Sequence, residues 1–483
     1  MFMKKNLLSL LAALLLATGL QAQTITFDQL PVGKGIVKNS IPHFIGCDGE
    51  SVVLIQRSGR LKNRLELVKY TLGLKEQCRA GLDGGEDYRC YGGYINDGHI
   101  DLLYSTFIGE GMRVYRDRRS LATLAPEGEP LMLADYSGEK GDRFYFGNAV
   151  SPNGKLLAGV FVADRTAQGT EVKVCLYNHQ LEAYWTQNCS RSNFDNIYAT
   201  DEGDVILYSF GANGECRFTI LDGEDIRNVE FKLPEGDMVL QRELLRYGNG
   251  NILLATAVRH ESHTLMPVGA NIDGIDIYCY NIAGKKLTVQ HHPFTMQEVN
   301  RLCNDKEDRD QRHLWVQFGH ICQRIADSDG AYLMVDQSWT TTLNGVPTGE
   351  QRMGMMVMRV DPNGKILWTT AKRTTTNTSW NDRDYLDYKW LPTPTGVMLA
   401  WTDHIANISF PPSKQVKLFS PFKSKATLNV WTLTHDGKED LSFIELSRQA
   451  LAGPAHSLDT PGEYIVLLTS GNRQQLTKVK IEK

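Results

Sequence analysis

The sequence predicts an all-β protein, an eight-bladed β-propeller with seven blades as the alternative. Three observations carry that prediction. Tight-turn signals of the Asp-Gly and Asn-Gly type recur between short apolar and β-branched runs. The runs group into repeating units of four, with tight turns after the first and third. The last unit is one strand short, while Thr24-Ile25-Thr26-Phe27 at the other end is a spare alternating strand. Pairing the two would close a ring and remove the open sheet edges that all-β folds must protect.

The clearest unit spans residues 321–372. Ser328-Asp329-Gly330 joins a first strand, 323–327, to a second, 332–337. Residues 355–360 and 366–370 read as the third and fourth strands, because they are apolar and partly β-branched. Between them Asp361-Pro362-Asn363-Gly364 supplies a fixed proline φ and two residues that tolerate positive φ. Residues 339–352 read as a longer connection between the second and third strands.

The other units are worn copies of this one. The first has strands near 41–47, 51–56, 65–70 and 75–79. The second runs from 91–95 through 99–107 and 112–115 to an indistinct end at 121–133, and the seven-blade alternative rests on that blur. The third is clear, with Ser151-Pro152-Asn153-Gly154 as its first turn and Trp185 in its exit strand. The fourth covers 196–233, the fifth 240–290, the seventh 385–446 and the last 456–481.

The pattern Asp-Gly-x-Tyr-Leu, then Val-x-Arg-Val-Asp-x-Asn-Gly-Lys-Ile-Leu-Trp, resembles the repeat of secreted bacterial β-propellers and is similar in style to quinoprotein-like and WD40-like repeats. The likeness is good over residues 327–368, fair over 144–185 and loose elsewhere. It implies an architecture and no particular activity, because propellers host unrelated functions. The chain lacks evenly spaced Trp-Asp pairs and a Trp at every blade exit, so no quinone or other cofactor is implied.

Residues 1–22 differ in kind from the rest. Lys4 and Lys5 precede an apolar run at 7–17, and Leu20-Gln21-Ala22 suits cleavage. This predicts a signal peptide at 1–22 and one propeller domain over 23–483. The expected location is exported: periplasm, outer cell surface or extracellular. The apolar run is about half the ~20 residues a spanning helix needs, and no later segment is long and apolar enough to span. Without Lys4 and Lys5, 50 basic residues face 56 acidic ones. That balance excludes nucleic acid and anionic membranes as expected partners.

Nine cysteines fall between Cys47 and Cys322, an odd number that leaves at least one thiol unpaired in a monomer. Export permits disulfides. Cys175 with Cys189, across a hairpin, and Cys303 with Cys322, across an insertion, are the candidate pairs. Cys216 and Cys279 sit in apolar strand patterns and read as buried thiols.

The insertion at 293–313 predicts a short helix followed by a charged loop. Thr295 and Glu298 stand at capping-box spacing, with Met296, Val299, Leu302 and Cys303 on one helical face. A calcium site from Asp305, Asp308 and Asp310 is disfavoured by interleaved basic residues and the absence of a turn glycine. A zinc site would have to combine His260 and His263 with His291 and His292, and nothing in the sequence fixes their approach. No nucleophile elbow, phosphate loop or sialidase-type Asp box occurs.

The remaining signal is aromatic. Trp339, and Trp380 with Arg383 and Asp384, lie in long connections where an exposed ring beside polar groups suits a sugar or peptide. The competing reading packs these rings between blades. The expectation is a binding or scaffold module for a protein or glycan at the cell envelope, using the long connections at 259–273, 339–352 and 404–425. The alternative is a polysaccharide hydrolase or lyase, which would need paired acidic residues at the central channel.

Overall fold

A computed structural model describes residues 24–29, 33–34, 43–58, 64–82, 88–165, 169–189, 194–234, 238–259, 272–302, 319–327, 329–343, 346–379, 388–407, 425–446, 449–458, 461–470 and 473–482. Within them the chain forms eight antiparallel sheets in sequence order.

After β1 (Thr24–Gln29) and β2 (Gly33–Lys34), blade 1 holds β3 (His43–Cys47), β4 (Ser51–Ser58), β5 (Arg64–Thr71) and β6 (Glu76–Leu82). Blade 2 holds β7 (Arg89–Asn96), β8 (His99–Ile108), β9 (Gly111–Ser120) and β10 (Leu131–Tyr136). Blade 3 holds β11 (Arg143–Val150), β12 (Leu156–Arg165), β13 (Gly169–Asn178) and β14 (Ala183–Cys189). Blade 4 holds β15 (Asn196–Ala199), β16 (Val205–Phe210), β17 (Glu215–Leu221) and β18 (Ile226–Lys232). Blade 5 holds β19 (Met238–Gly248), β20 (Asn251–Arg259), β21 (Gly274–Asn281) and β22 (Lys286–Pro293), followed by helix α1 (Met296–Leu302).

Blade 6 holds β23 (Gly319–Asp327), β24 (Gly330–Leu343), β25 (Val346–Val360) and β26 (Ile366–Ser379). Blade 7 holds β27 (Lys389–Thr393), β28 (Gly396–His404), β29 (Ala426–Thr434) and β30 (Glu439–Leu446). Blade 8 holds β31 (Ala450–Ser457), β32 (Glu463–Ser470) and β33 (Arg473–Glu482). The second unit is a full blade, so the count is eight. Its fourth strand starts ten residues later than the indistinct run at 121–133 suggested.

Blade 8 takes its outer strand from the N-terminus. β1 runs antiparallel to β33, from Thr24 opposite Glu482 to Gln29 opposite Thr477. β2 adds a short pairing of Gly33 with Gln474 and Lys34 with Arg473. Ile25 is buried in the core between blades 7 and 8, and Phe27 packs against it.

Each pair of neighbouring blades shares its own apolar core. Eight such clusters occur among the described residues, one at every junction. The junction of blades 8 and 1 packs Ile465 and Leu467 against Val52, Leu54 and Val68, so the ring is closed. This explains the strand patterns. A middle strand is covered on both faces and reads as a continuous apolar run, as β28 does with buried residues from Gly396 to Asp403. An outer strand has one face in water and alternates, as β30 does.

The two exit-strand tryptophans clasp adjacent blades. Trp185 Nε1 donates to the Gly203 carbonyl of blade 4 at 3.2 Å, and Trp368 Nε1 donates to the His435 carbonyl of blade 7 at 3.0 Å. Each ring lies on a glycine in the next blade's turn between third and fourth strands. A Cβ on Gly223 would meet Trp185 at 2.8 Å, and one on Gly437 would meet Trp368 at 3.0 Å. Both glycines have φ in the left-handed region, 92° and 82°.

Two expectations are corrected. Residues 339–352 are not an irregular loop, because β24 and β25 continue through them as a hairpin. Cys175 and Cys189 are not bonded to each other. Cys175 stands opposite Thr186 and Cys189 opposite Val172. That separates them by three strand positions, about 10 Å, which exceeds disulfide reach and turns their side chains to opposite faces. Cys303 lies outside the described residues, as does the Cys322 side chain. Cys216 and Cys279 are buried, as expected.

Candidate functional site

The meander sorts the connections between the two ends of the ring. Tight turns after first and third strands share one end. Connections from second to third strands, and from blade to blade, share the other. The strands flanking residues 260–271, 303–318, 380–387 and 408–424 all end on that second face, within blades 5–7. The blade 6 hairpin rises there too.

That hairpin extends the sheet beyond its first strand. β23 pairs with β24 no further than Gly319 opposite Gln337. Past this point β24, β25 and β26 continue as three strands, with Trp339 opposite Gln351 and Gln351 opposite Asn377. A buried polar group forms the base. Arg352 Nε lies 3.5 Å from Asp336 Oδ2, its guanidinium sits 5.3 Å from the centre of the Tyr388 ring, and the Tyr388 hydroxyl is 3.0 Å from Thr374 Oγ1. Asp336, Tyr388 and Thr374 are buried. A buried charge is tolerated where an opposite charge and hydrogen bonds offset its lost hydration. Here the group pins the root of the hairpin to the start of blade 7.

Helix α1 packs against β25 and β26. Its capping box is formed as the spacing predicted. The Thr295 amide donates to Glu298 Oε2 at 2.7 Å, and the Glu298 amide donates to Thr295 Oγ1 at 3.3 Å. Glu298 is buried. It also meets His292 Nε2 at 3.0 Å and accepts from the Thr369 hydroxyl of β26. Burial pushes the Glu298 carboxyl up, but hydrogen bonds from His292, Thr369 and the Thr295 amide outweigh it and bring the pKa down to about 2. At the helix end Arg301 donates to Thr370 Oγ1 at 2.8 Å and lies 3.7 Å from Glu439 Oε1 of blade 7. Lys372 beside it titrates below its ordinary range, through burial first and the Arg301 charge second, against the attraction of Glu439.

The paired histidines diverge. His291 Nδ1 lies 2.9 Å from the buried Asp276 Oδ2, whereas His292 turns to Glu298. Consecutive strand residues face opposite sides, so the two imidazoles do not converge on one ion. His260 and His263 lie outside the described residues, as do Asp305, Asp308 and Asp310. No group of three or more His, Cys, Asp or Glu placed to hold a metal ion occurs among the described residues. No helix among them is long and apolar enough to cross a membrane.

The central channel holds a cavity of about 570 Å³ at the tight-turn end. Its walls are the first strands of blades 3–7, β11, β15, β19, β23 and β27. Among the described residues the lining side chains are mostly apolar, Tyr198 and Trp390 are among them and Glu243 is the one acidic member, while polar atoms make up nearly half of the lining surface. The Gln241 side chain fixes this wall. Its Oε1 accepts from the Ile321 amide and its Nε2 donates to the Ile321 carbonyl, both at 2.8 Å. The same Nε2 lies 3.3 Å from Glu243 Oε1. Innermost strands have one edge without a ladder partner, and here a side-chain amide satisfies it across the blade junction.

Of the residues singled out in the sequence, Trp339 is on the blade 6 extension, with its side chain outside the description. Trp380, Arg383 and Asp384 lie outside the described residues. The strand register still relates them: Ser379, just before Trp380, pairs with Gly349 on the same extension that carries Trp339. Asp336, Arg352 and Tyr388 escaped sequence reasoning. The one available signal was Asp336, a charge directly after the apolar run 331–335. The divergence of His291 and His292 was legible from strand alternation alone.

No protein-family profile matches the chain, and no curated protein sequence does. Solved structures similar to it include propellers and an oxygenase. The WD40 domain of SCAP from fission yeast is 8% identical, covers 95% of this chain and 98% of its own, and has a TM-score of 0.38. The Dos1 propeller is 10% identical over 93% and 94%, with a TM-score of 0.41. Synechocystis apocarotenoid oxygenase, in cobalt-substituted form, is 10% identical over 93% and 97%, with a TM-score of 0.36.

Proposed function

We propose that this chain is an exported binding or scaffold module that takes a protein or glycan at the cell envelope on the long-connection face of blades 5–7. The observation that supports it most is the concentration of long connections on that one face, around a blade 6 extension rooted in the Asp336–Arg352–Tyr388 group. Loops and ribbons on a rigid ring are suited to recognition, because the scaffold bears their ordering cost in advance. Trp339, Trp380, Arg383 and Asp384 are assigned to the contact. Export rests on the charge and apolar pattern of residues 1–22.

The channel bears on the hydrolase or lyase alternative. Glycoside hydrolysis needs two carboxyl groups about 5–9.5 Å apart. Glu243 is the one acid lining the cavity among the described residues, which favours binding.

The test uses the mature chain and a variant with residues 340–348 replaced by a two-residue turn. Both are probed against a glycan array and an envelope extract with mass-spectrometric identification. The expected result is a defined glycan or protein retained by the mature chain and lost from the shortened variant and from Trp339→Ala/Trp380→Ala. Undiminished retention by both variants would place the contact elsewhere.

A further inference from the structure

We propose that Lys372 is a nucleophilic lysine, a site between the outer strands of blades 6 and 7 where a small aldehyde is captured as a Schiff base. The site does not depend on the contact assigned to the long-connection face.

The placement follows from strand register. On β26, Thr370 stands opposite Val357 and Lys372 opposite Met355, with no bulge between them. Both side chains therefore take the face that Val357 and Met355 turn to blade 7. Arg301 of α1 reaches the same face, donating to Thr370 Oγ1 at 2.8 Å. The Glu298 carboxylate holds α1 there by accepting from the Thr369 hydroxyl. Glu439 of blade 7 is the one acid that acts on Lys372, and it is engaged elsewhere. Its Oε2 accepts from Trp431 Nε1 at 3.1 Å and from the Thr370 hydroxyl at 3.4 Å, and its Oε1 lies 3.7 Å from Arg301. Among the described residues none forms a hydrogen bond or an ion pair with the Lys372 ammonium.

A half-buried lysine beside a guanidinium, without a carboxylate of its own, favours its neutral form. Burial strips water from the ammonium, which outweighs the attraction of Glu439, and the Arg301 charge adds repulsion, so the amine titrates below its ordinary range. Guanidinium groups keep their charge in proteins, so the amine is the partner that yields its proton. A neutral lysine amine is the nucleophile of Schiff-base chemistry. Its nitrogen forms a bond to the aldehyde carbon, and the carbonyl oxygen leaves as water with the two amine hydrogens. No oxidant or reductant takes part. Partial burial restricts the electrophile to a small one.

The experiment treats the mature protein with acetaldehyde and cyanoborohydride, which reduces the imine to a stable ethyl-lysine. Peptide mass spectrometry follows each lysine across a pH series. Lys372 should be labelled several-fold faster at pH 7 than Lys155, which is exposed, and its rate should level off at lower pH. Two variants should move it in opposite directions. Arg301→Gln removes the repelling charge and should slow Lys372, with its pH midpoint raised. Glu439→Gln removes the attracting charge and should speed it, with the midpoint lowered. Lys155 should be unaffected by either, and circular dichroism confirms that both variants are folded. Labelling of Lys372 no faster than Lys155 at pH 7 would overturn the proposal. So would variants that leave its pH profile unchanged or shift it the same way.

Discussion

The guanidinium of Arg359 forks onto the carboxylate of Asp327, with Nη1 2.8 Å from Oδ2 and Nη2 2.9 Å from Oδ1. Asp327 ends the first strand of blade 6 and Arg359 lies near the end of the third. The same guanidinium lies 4.3 Å from the centre of the Tyr332 ring, whose hydroxyl meets His435 Nδ1 of blade 7 at 2.7 Å. Arg246 of blade 5 donates to the Asp327 carbonyl at 3.0 Å. One turn thus ties three blades.

Arg359 is 1% exposed. Asp327→Ala should therefore leave a buried charge without its carboxylate and destabilise by about 3–5 kcal/mol. Arg359→Met leaves a carboxylate that water already reaches, and should cost less. The double variant should cost less than the two single losses combined. Urea unfolding of the four proteins checks this, and strict additivity would show the fork to be energetically idle.

Removing residues 24–29 should weaken blade 8, which closes the ring. The deletion exposes the β33 edge and the apolar surface covered by Ile25, itself worth about 1.5–3 kcal/mol. The unfolding midpoint should fall, and a bare edge should promote association. Light scattering across a concentration series reads the second effect. Adding back a Thr24–Gln29 peptide should reverse both.

Stability should fall in acid partly through Glu298. Its folded pKa, about 2, lies below the ordinary 4.5. The unfolded state therefore binds the proton more readily, and the contribution is complete above pH ~4.5 and lost as pH drops towards 2. At about 1.4 kcal/mol per pKa unit it amounts to at most about 3.5 kcal/mol. Glu298→Gln should be less stable than the parent at pH 7, with the gap closing by pH 2. A gap independent of pH would assign the residue's role to packing alone.

Gly437→Ala should destabilise by about 1–2 kcal/mol for its left-handed backbone, plus a steric cost against Trp368. In a Trp368→Ala background only the backbone cost should remain. A double-mutant cycle with no coupling would mean that the ring moves aside freely.

The buried Cys216 thiol and the half-buried Cys90 thiol should resist labelling. Burial pushes the Cys216 thiol up to about 12 and the Cys90 thiol up to about 11. Both should fail to react with a thiol reagent at pH 8 in the native protein and react fully in denaturant. Rapid native labelling of Cys216 would contradict its complete burial.

Much of the ring was determined by the chain itself. Turns such as Asn363-Gly364 and Ser151-Pro152-Asn153-Gly154 require particular backbone angles, and few residues meet them, so the sequence narrowed the blades to eight or seven. The spare strand at Thr24 and the short last unit followed from the same arithmetic, because each is a local pattern with a period of two. Thr295 and Glu298 announced their capping box for the same reason: the contact spans three residues.

What only the tertiary structure decided are relationships between distant residues. The sequence allowed Cys175 to bond Cys189; the hairpin register put them on opposite faces. Residues 339–352 read as a loop because Thr and Gly there carry no apolar alternation, yet pairing between β24, β25 and β26 carries the sheet onward. Asp336, Arg352 and Tyr388 meet through that pairing, and Glu243, Tyr198 and Trp390 share a cavity because three blades turn their first strands to one axis. Local chemistry specifies angles and faces. Which faces meet is set by ring closure, which no short window of sequence contains.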